Sequence, residues 1–276
     1  MQNLDPRLNA FRADLADEAL RDQVKAKRFV KGVVHQIRNP IAPILKRPES
    51  SAPQTSQALM GETCLVFENK NGWAWVQMVA DHYVGYISSD ALNAEVLQPT
   101  HRVIESSTLL YPQADLKTGP VLFLLLNAQV RVKTIEGAYS QLETGGFVFT
   151  RHLAPLTHRE SDFVAVAEKF LHAPYFWGGK SVHGIDCSGL LQTALHACGI
   201  FAPRDSDMQE ASLGTLQNDY KDFARGDLMF WPGHVGIMQN ATQLLHANGY
   251  AMKTTSEPLA YVVARAEMPI SAIKRL

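Results

Sequence analysis

Cysteine is scarce in this chain, with three residues, Cys64, Cys187 and Cys198, among 276. So sparse and odd a set makes a poor disulfide framework and fits a reducing compartment. An excess of charge is missing as well, since 26 basic side chains face 27 acidic ones. Without a net field, nucleic acid and anionic membrane surfaces are poor candidates for partners. Long apolar runs are also lacking. The stretch Val121 to Leu126 falls far short of the roughly 20 residues that cross a bilayer. The opening Met1-Gln2-Asn3-Leu4-Asp5-Pro6-Arg7 leads into mixed charges through Lys31. It shows no basic start followed by an apolar core, so no secretory leader is visible and a cytoplasmic protein is expected.

What is present is ordinary globular material, 46% hydrophobic and 19% charged, enough for real cores. At roughly 100–200 residues per domain, the length predicts two or three units. Residues 1–33 are charged and alanine-rich and read as a helical segment, with a short helix over Asp17–Phe29. Pro40, Pro43, Pro48 and Pro53 then favour extended, turning chain. Thr63–Phe67 is β-prone, and Asn69-Lys70-Asn71-Gly72 supplies hairpin chemistry because Asn and Gly tolerate positive φ. Trp73–Val79 alternates, with Ala74, Val76 and Met78 on one face and Trp73, Trp75 and Gln77 on the other. Gly85-Tyr86-Ile87 begins the last strand of this unit.

The pattern recurs about 60 residues later. Leu45-Lys46-Arg47-Pro48 lines up with Leu109-Leu110-Tyr111-Pro112, Gly72 with Gly137, and Gly85-Tyr86-Ile87 with Gly146-Phe147-Val148. Two small β-barrels in tandem are therefore expected, over residues 34–98 and 99–155. Beyond Pro155 the texture changes. Thr157-His158-Arg159-Glu160 has capping-box spacing, ahead of a helix presenting Phe163, Ala167, Phe170 and Leu171 on one face. A second helix is expected over about Ser188–Ala197, with Leu190, Leu191, Ala194 and Leu195 buried and Gly199 closing it. Strand-like runs follow at Asp227–Trp231, Gly233–Met238 and Gln243–Ala247. Helices first and strands afterwards predict an α+β domain over residues 156–276.

Cys187 stands at the start of that second helix, in Gly184-Ile185-Asp186-Cys187-Ser188-Gly189-Leu190. Unpaired N–H groups and the helix dipole there favour a thiolate and are expected to lower its pKa. The same amides can donate to a tetrahedral oxyanion. Cys198 and Cys64 read as packing residues. Among ten histidines, His234 opens a strand flanked by Gly233 and Gly236, and His246 lies inside the next apolar strand. The two glycines leave room for a backbone or a ligand to approach. Neighbouring antiparallel strands can bring two imidazoles together on one face. His246 would then orient His234 as a carboxylate does in a Ser-His-Asp triad. His35, His82, His101, His152, His158, His172, His183 and His196 have no comparable setting.

Four blocks, Tyr175-Phe176-Trp177-Gly178-Gly179, Asp186-Cys187-Ser188-Gly189, Gly226-Asp227-Leu228 and His234-Val235-Gly236-Ile237, resemble in order and spacing the NlpC-type cysteine peptidases. These are papain-like enzymes with a Cys-His-His triad, which carries over to Cys187, His234 and His246. Tyr175 matches a residue beside the nucleophile that helps the oxyanion site. The chain is similar to members with two bacterial SH3-like barrels ahead of the peptidase, and the resemblance includes Asp5 to Leu8. It implies two small all-β SH3-like barrels followed by an α+β papain-like domain. It also implies cleavage of the γ-D-glutamyl bond to a diamino acid in stem peptides with a free L-Ala, such as L-Ala-γ-D-Glu-diaminopimelate. Substrate contacts would come from Ser188, Trp177, Asp205 and Ser206, with Glu62 and Tyr83 from the first barrel. By itself Asp205 reads as a solvated loop charge; the resemblance alone gives it the ammonium of the substrate. Tyr86 departs from the usual Trp of these barrels. No cofactor, no metal and a monomer are expected, in the recycling of wall fragments. Two other readings stay open. Cys187, His234 and His246 could be three zinc ligands, although the usual Cys-x-x-Cys or His-x-x-x-His spacing is missing. The chain could also be a wall-binding scaffold with an inert peptidase domain.

Overall fold

In the computed structural model, which describes residues 4–217 and 222–276, the alternating stretch Trp73–Met78 becomes a strand with a core on each side. Ala74, Val76 and Met78 pack with Ile37, Ile44 and Ile87, while Trp75 turns to the other face, onto Phe67, Ala10 and Leu15. The hairpin expected before it forms as read, with Asn71 at φ 52° and Gly72 at φ 80°. Seven antiparallel strands make this sheet, in the order Gln54–Leu59, Ile41–Leu45, Val84–Ser88, Trp73–Met78, Thr63–Lys70, Val33–Ile37, Leu92–Asn93.

The N-terminal segment corrects one expectation. Instead of a helix over Asp17–Phe29, Leu15–Asp17 and Arg28–Val30 pair as short parallel strands around a 3-10 turn at Glu18–Leu20. A helix of that length is marginal alone in water, whereas the extended chain buries Ala10 and Leu15 on the outer face of the sheet. Arg12 fastens it there. Its guanidinium lies 4.3 Å from the Trp75 ring and donates to Glu68 Oε2 and Tyr86 Oη, each at 2.8 Å. The phenol at Tyr86 thus supplies an acceptor that an indole would not.

Residues further along this unit form a five-stranded sheet (Ser107–Tyr111, Leu122–Leu125, Val132–Glu136, Tyr139–Leu142, Phe147–Phe149) and a three-stranded one (His101–Val103, Gln129–Val130, Leu153–Pro155). The sequence repeat maps onto matching pairings. They match in kind but not residue by residue: Leu45 pairs with Tyr86, whereas Phe147, the counterpart of Tyr86, pairs with Tyr111 and not with Leu109. Gly61, at φ 86°, joins the two parts: a Cβ there would stand 2.0 Å from the Gln129 carbonyl oxygen, and Gln129 N–H donates to Met60 O at 2.8 Å.

The chain divides between Leu156 and Thr157 into two units. In the second, the first helix is Phe163–Glu168, shorter and later than its capping box implied. Asp162 is the cap, its carboxylate accepting from Val164 and Ala165 N–H. Val164, Ala167 and Phe170 are buried as the helix turns inward, but Leu171 is exposed. The Cys187–Ala197 helix is buried nearly all round, Gln192 and Thr193 included. It ends as expected, with Gly199 at φ 74° and Ile200 N–H returning to Leu195 O at 2.9 Å, a left-handed cap. Cys198 is the half-buried C-cap and not part of the apolar stripe. The antiparallel sheet runs Thr215–Leu216, Ala272–Arg275, Leu228–Trp231, His234–Met238, Gln243–Asn248, Lys253–Pro258. Among the described residues no helix is long and apolar enough to cross a membrane.

Candidate active site

Cys187 is the first residue of its helix because Asp186 ends the extended chain before it. Asp186 is the N-cap, and its Oδ1 accepts from Gly189 N–H at 2.7 Å, satisfying one of the orphan amides of the first turn. Its Oδ2 accepts from Gly178 N–H at 2.7 Å, tying in the Tyr-Phe-Trp-Gly-Gly block. The backbone approach here is close. A Cβ on Gly189 would stand 2.2 Å from the Gly179 carbonyl oxygen, so only glycine fits. Arg204, 1% exposed, grips the same carboxylate with both terminal nitrogens, at 3.0 and 2.7 Å. It donates to the Ser188 hydroxyl too, at 2.8 Å.

The two histidines come from the sheet. Trp231 and His234 face each other across the Pro232-Gly233 turn, with Gly233 at φ 77°. The next pair of strands is in register at Ile237–Leu245 and Met238–Leu244. Continued by two residues, that register sets His246 diagonal to His234 on one face. The imidazoles meet, with His234 Nε2 and His246 Nδ1 2.8 Å apart. Room for this was expected from the flanking glycines, but Gly236 serves packing instead: its missing Cβ is replaced by the Leu244 side chain. His234 also leaves the amide of the following residue aimed at the sulfur, and hydrogen bonds from Val235 and Ser188 backbone N–H favour the Cys187 thiolate.

That favour is outweighed. Burial, then the negative charge of Asp186, push the Cys187 thiol up to about 12. Burial, then His246 and Arg265, push His234 down to about 3. The sequence led us to expect a lowered thiol pKa; desolvation reverses it, because the helix start lies inside the protein. Each partner is therefore neutral on its own account. Two unit charges 4 Å apart attract by about 4 kcal/mol at an effective dielectric of 20, so a thiolate and an imidazolium brought that close would offset part of the desolvation. Tyr175 sits electrostatically next to Cys187. Burial, then Cys187 and Asp186, push its phenol up to about 12, so it stays a hydrogen-bond donor.

Sequence reasoning missed what lies behind His246. Its Nε2 is 3.0 Å from Glu257 Oε1, and Glu257 is held by Arg265 at 2.6 and 2.8 Å. Glu257 is on the adjacent strand, whose register pairs His246 with Thr255, so the signal was the i+2 spacing from that partner, readable only once the register is known. Asp186, inside the Cys187 block, and Arg204, next to Asp205, are two further residues that sequence reasoning left without a role. With one His246 nitrogen on His234 and the other on Glu257, this arrangement does not suit a zinc shared with Cys187. Among the described residues no group of three His, Cys, Asp or Glu side chains is placed to hold a metal ion.

The expected substrate residues are scattered. Trp177 is exposed. Asp205 is the N-cap of the short helix Ser206–Ser212. The buried Ser188 hydroxyl is engaged by Arg204 at 2.8 Å and by Asp186 at 3.3 Å. Glu62 and Tyr83 lie in the N-terminal unit. There Glu62 Oε2 accepts from Leu59 N–H at 2.8 Å, and Tyr83 is packed in the sheet's core. Beside the histidine pair a cavity of about 520 Å³ is lined by Trp231, Tyr250, Arg265 and Met268, among others.

Comparison with known proteins bears on this site. Residues 172–265 match the NlpC/P60 family, and residues 44–92 match the bacterial dipeptidyl-peptidase SH3 domain. Over 192 residues the chain is 27% identical to dipeptidyl-peptidase 6 of Lysinibacillus sphaericus, covering 67% of this chain and 66% of that protein. Over 223 residues it is 26% identical to a gamma-D-glutamyl-L-lysine dipeptidyl-peptidase of Bacillus subtilis, covering 70% and 71%. The chain thus spans about two thirds of these relatives' lengths. An NlpC/P60 family protein from Bacillus cereus shares the fold, with a TM-score of 0.74 at 19% identity over 88% of this chain and 99% of that one.

Proposed function

Residues 172–265 belong to the NlpC/P60 family, and on that premise we propose that the chain is a cysteine peptidase of peptidoglycan stem peptides. The bond it hydrolyses joins γ-D-Glu to a diamino acid, diaminopimelate or Lys, in peptides whose L-Ala amine is free. The observation that carries this reading is Cys187 at a helix N-terminus, reached by the backbone N–H of Val235, the residue after His234, whose ring is paired with His246 at 2.8 Å. The relatives named as dipeptidyl-peptidases support the substrate class, as does the SH3 domain description.

In this mechanism His234 takes the Cys187 proton as the sulfur attacks the γ-carbonyl carbon. The oxyanion is held by the Cys187 N–H, which as the first helical amide has no acceptor within its helix, and by the Tyr175 hydroxyl. The protonated His234 then gives its proton to the departing amine, and the thioester remains. A water, deprotonated by His234, releases the L-Ala-γ-D-Glu acid and restores the thiol. General acid–base assistance of this kind is worth about 10²–10⁴ in rate. The cavity beside His234 and His246 offers space for the leaving diamino acid.

Asp205 is assigned to the substrate ammonium, and Ser206 and Trp177 to the remaining contacts. Residues 99–155 are taken as a second SH3-like barrel, supported by the five-stranded and three-stranded antiparallel sheets they form. Recycling of wall fragments inside the cell, by a monomer, completes the reading. The test compares L-Ala-γ-D-Glu-diaminopimelate with its N-acetylated form, using wild type and Cys187→Ala. Cleavage of the free peptide alone, lost in the variant, is the expected result. Equal cleavage of both peptides removes the role of Asp205. No cleavage of either favours the inert scaffold.

A further inference from the structure

We propose that the Glu257–Arg265 ion pair is a positioning element that selects one tautomer in each of the two imidazoles, so that His234 is left with a bare Nδ1 as its proton-accepting nitrogen. The inference rests on the peptidase reading for its kinetic consequences but not for its geometry.

One line of hydrogen bonds fixes the protons by elimination. Arg265 can only donate, and it places one N–H on each Glu257 oxygen, at 2.6 and 2.8 Å. The Thr255 hydroxyl donates to Oε1 as well, at 2.9 Å, and in turn accepts from Asn248 Nδ2 at 2.9 Å. Glu257 is thus an ionised acceptor. Arg265 first, and then His246 and Thr255, hold its carboxyl down at about 2. Only an N–H can face such an oxygen at 3.0 Å, so the His246 proton is on Nε2.

A neutral imidazole carries one N–H, and burial keeps His246 below its usual pKa. Its Nδ1 is consequently a bare acceptor. His234 Nε2, 2.8 Å away, must donate to it. His234 is neutral by the same desolvation, so its single proton is spent there and its Nδ1 is free to take one. One carboxylate therefore decides four nitrogen positions. The charged or titratable groups that act on the two rings are His246 on His234, and Glu257 and Arg265 from the strand and helix behind them. When His234 becomes an imidazolium, the Glu257 charge reaches it through His246 without any proton moving between the rings.

Glu257→Gln tests this. With its carbonyl oxygen drawn to Arg265, the amide turns an NH₂ toward His246 Nε2. That makes Nε2 the acceptor, puts the proton on Nδ1 and reverses both rings. The expected outcome is a loss in kcat on the order of 10²–10⁴, the scale of mis-set tautomers in hydrolytic triads, with KM changed less than about threefold. Imidazole ¹⁵N NMR of the full chain should show protonated Nε2 on both histidines in wild type and protonated Nδ1 on both in the variant. Unchanged kcat, or lost kcat with unchanged tautomers, overturns the proposal. The wild-type spectrum decides even if the variant does not fold: a proton on His246 Nδ1 there is incompatible with it. Because the NMR needs no substrate, failure of the proposed peptide to react leaves this test intact.

Discussion

Arg204 and Asp186 form a buried two-pronged ion pair at the root of the nucleophile's helix, with Nη1–Oδ1 at 3.0 Å and Nη2–Oδ2 at 2.7 Å. The same carboxylate caps the helix and holds Gly178 N–H, so the pair fixes where Cys187 stands. Arg204→Ala leaves that carboxylate buried without its partner. The expected loss is about 3–5 kcal/mol of stability, read by urea unfolding. Replacing both, as Asp186→Asn with Arg204→Met, should be less severe than Arg204→Ala alone.

Thiol reactivity offers a second check. With Cys187 pushed up to about 12 and His234 down to about 3, the substrate-free pair is uncharged at neutral pH. Alkylation of Cys187 by iodoacetamide should climb with pH into the alkaline range, because the thiolate is the reacting species. A plateau reaching down to pH 5, the mark of a preformed thiolate–imidazolium pair, would contradict this account.

Acid should destabilise the fold through the same groups. The unfolded His234 binds its proton near pH 6.5 and the folded one only near 3. Between those values unfolding takes up a proton, and stability falls as the pH drops. Glu257, held at about 2 against an ordinary 4.5, adds a loss in the same direction between 4.5 and 2. Each group contributes a slope of up to about 1.4 kcal/mol per pH unit. His234→Asn should flatten the limb above pH 4.5 in denaturation curves taken across pH, while Glu257 keeps the lower limb steep.

Gly61→Ala probes the N-terminal unit. The added methyl would stand 2.0 Å from the Gln129 carbonyl oxygen, at a φ of 86°. Backbone strain of this kind costs about 1–3 kcal/mol. A lower melting temperature should accompany faster amide exchange at Gln129, whose N–H donates to Met60 O. Unchanged exchange would mean that the junction yields without loss.

Much of the site was legible in the chain. The start of a helix near Cys187, the strand at His234 and the strand at His246 follow from an apolar stripe and from apolar runs, both local properties of sequence. The repeat between Leu45 and Leu109 was visible for the same reason. Local signals also misled. Residues 17–29 had the composition of a helix, but the exposed faces of Phe67 and Trp75 offered more burial to extended chain than an isolated helix could gain.

The sequence by itself therefore determined which residues form the helix and strands of the site, because hydrogen bonds within a few residues settle those choices. Tertiary structure alone decided the strand register that puts Glu257 behind His246, the burial of Arg204 against Asp186, and the protonation of Cys187 and His234. These depend on which distant groups share a low-dielectric interior, and no local pattern carries that information.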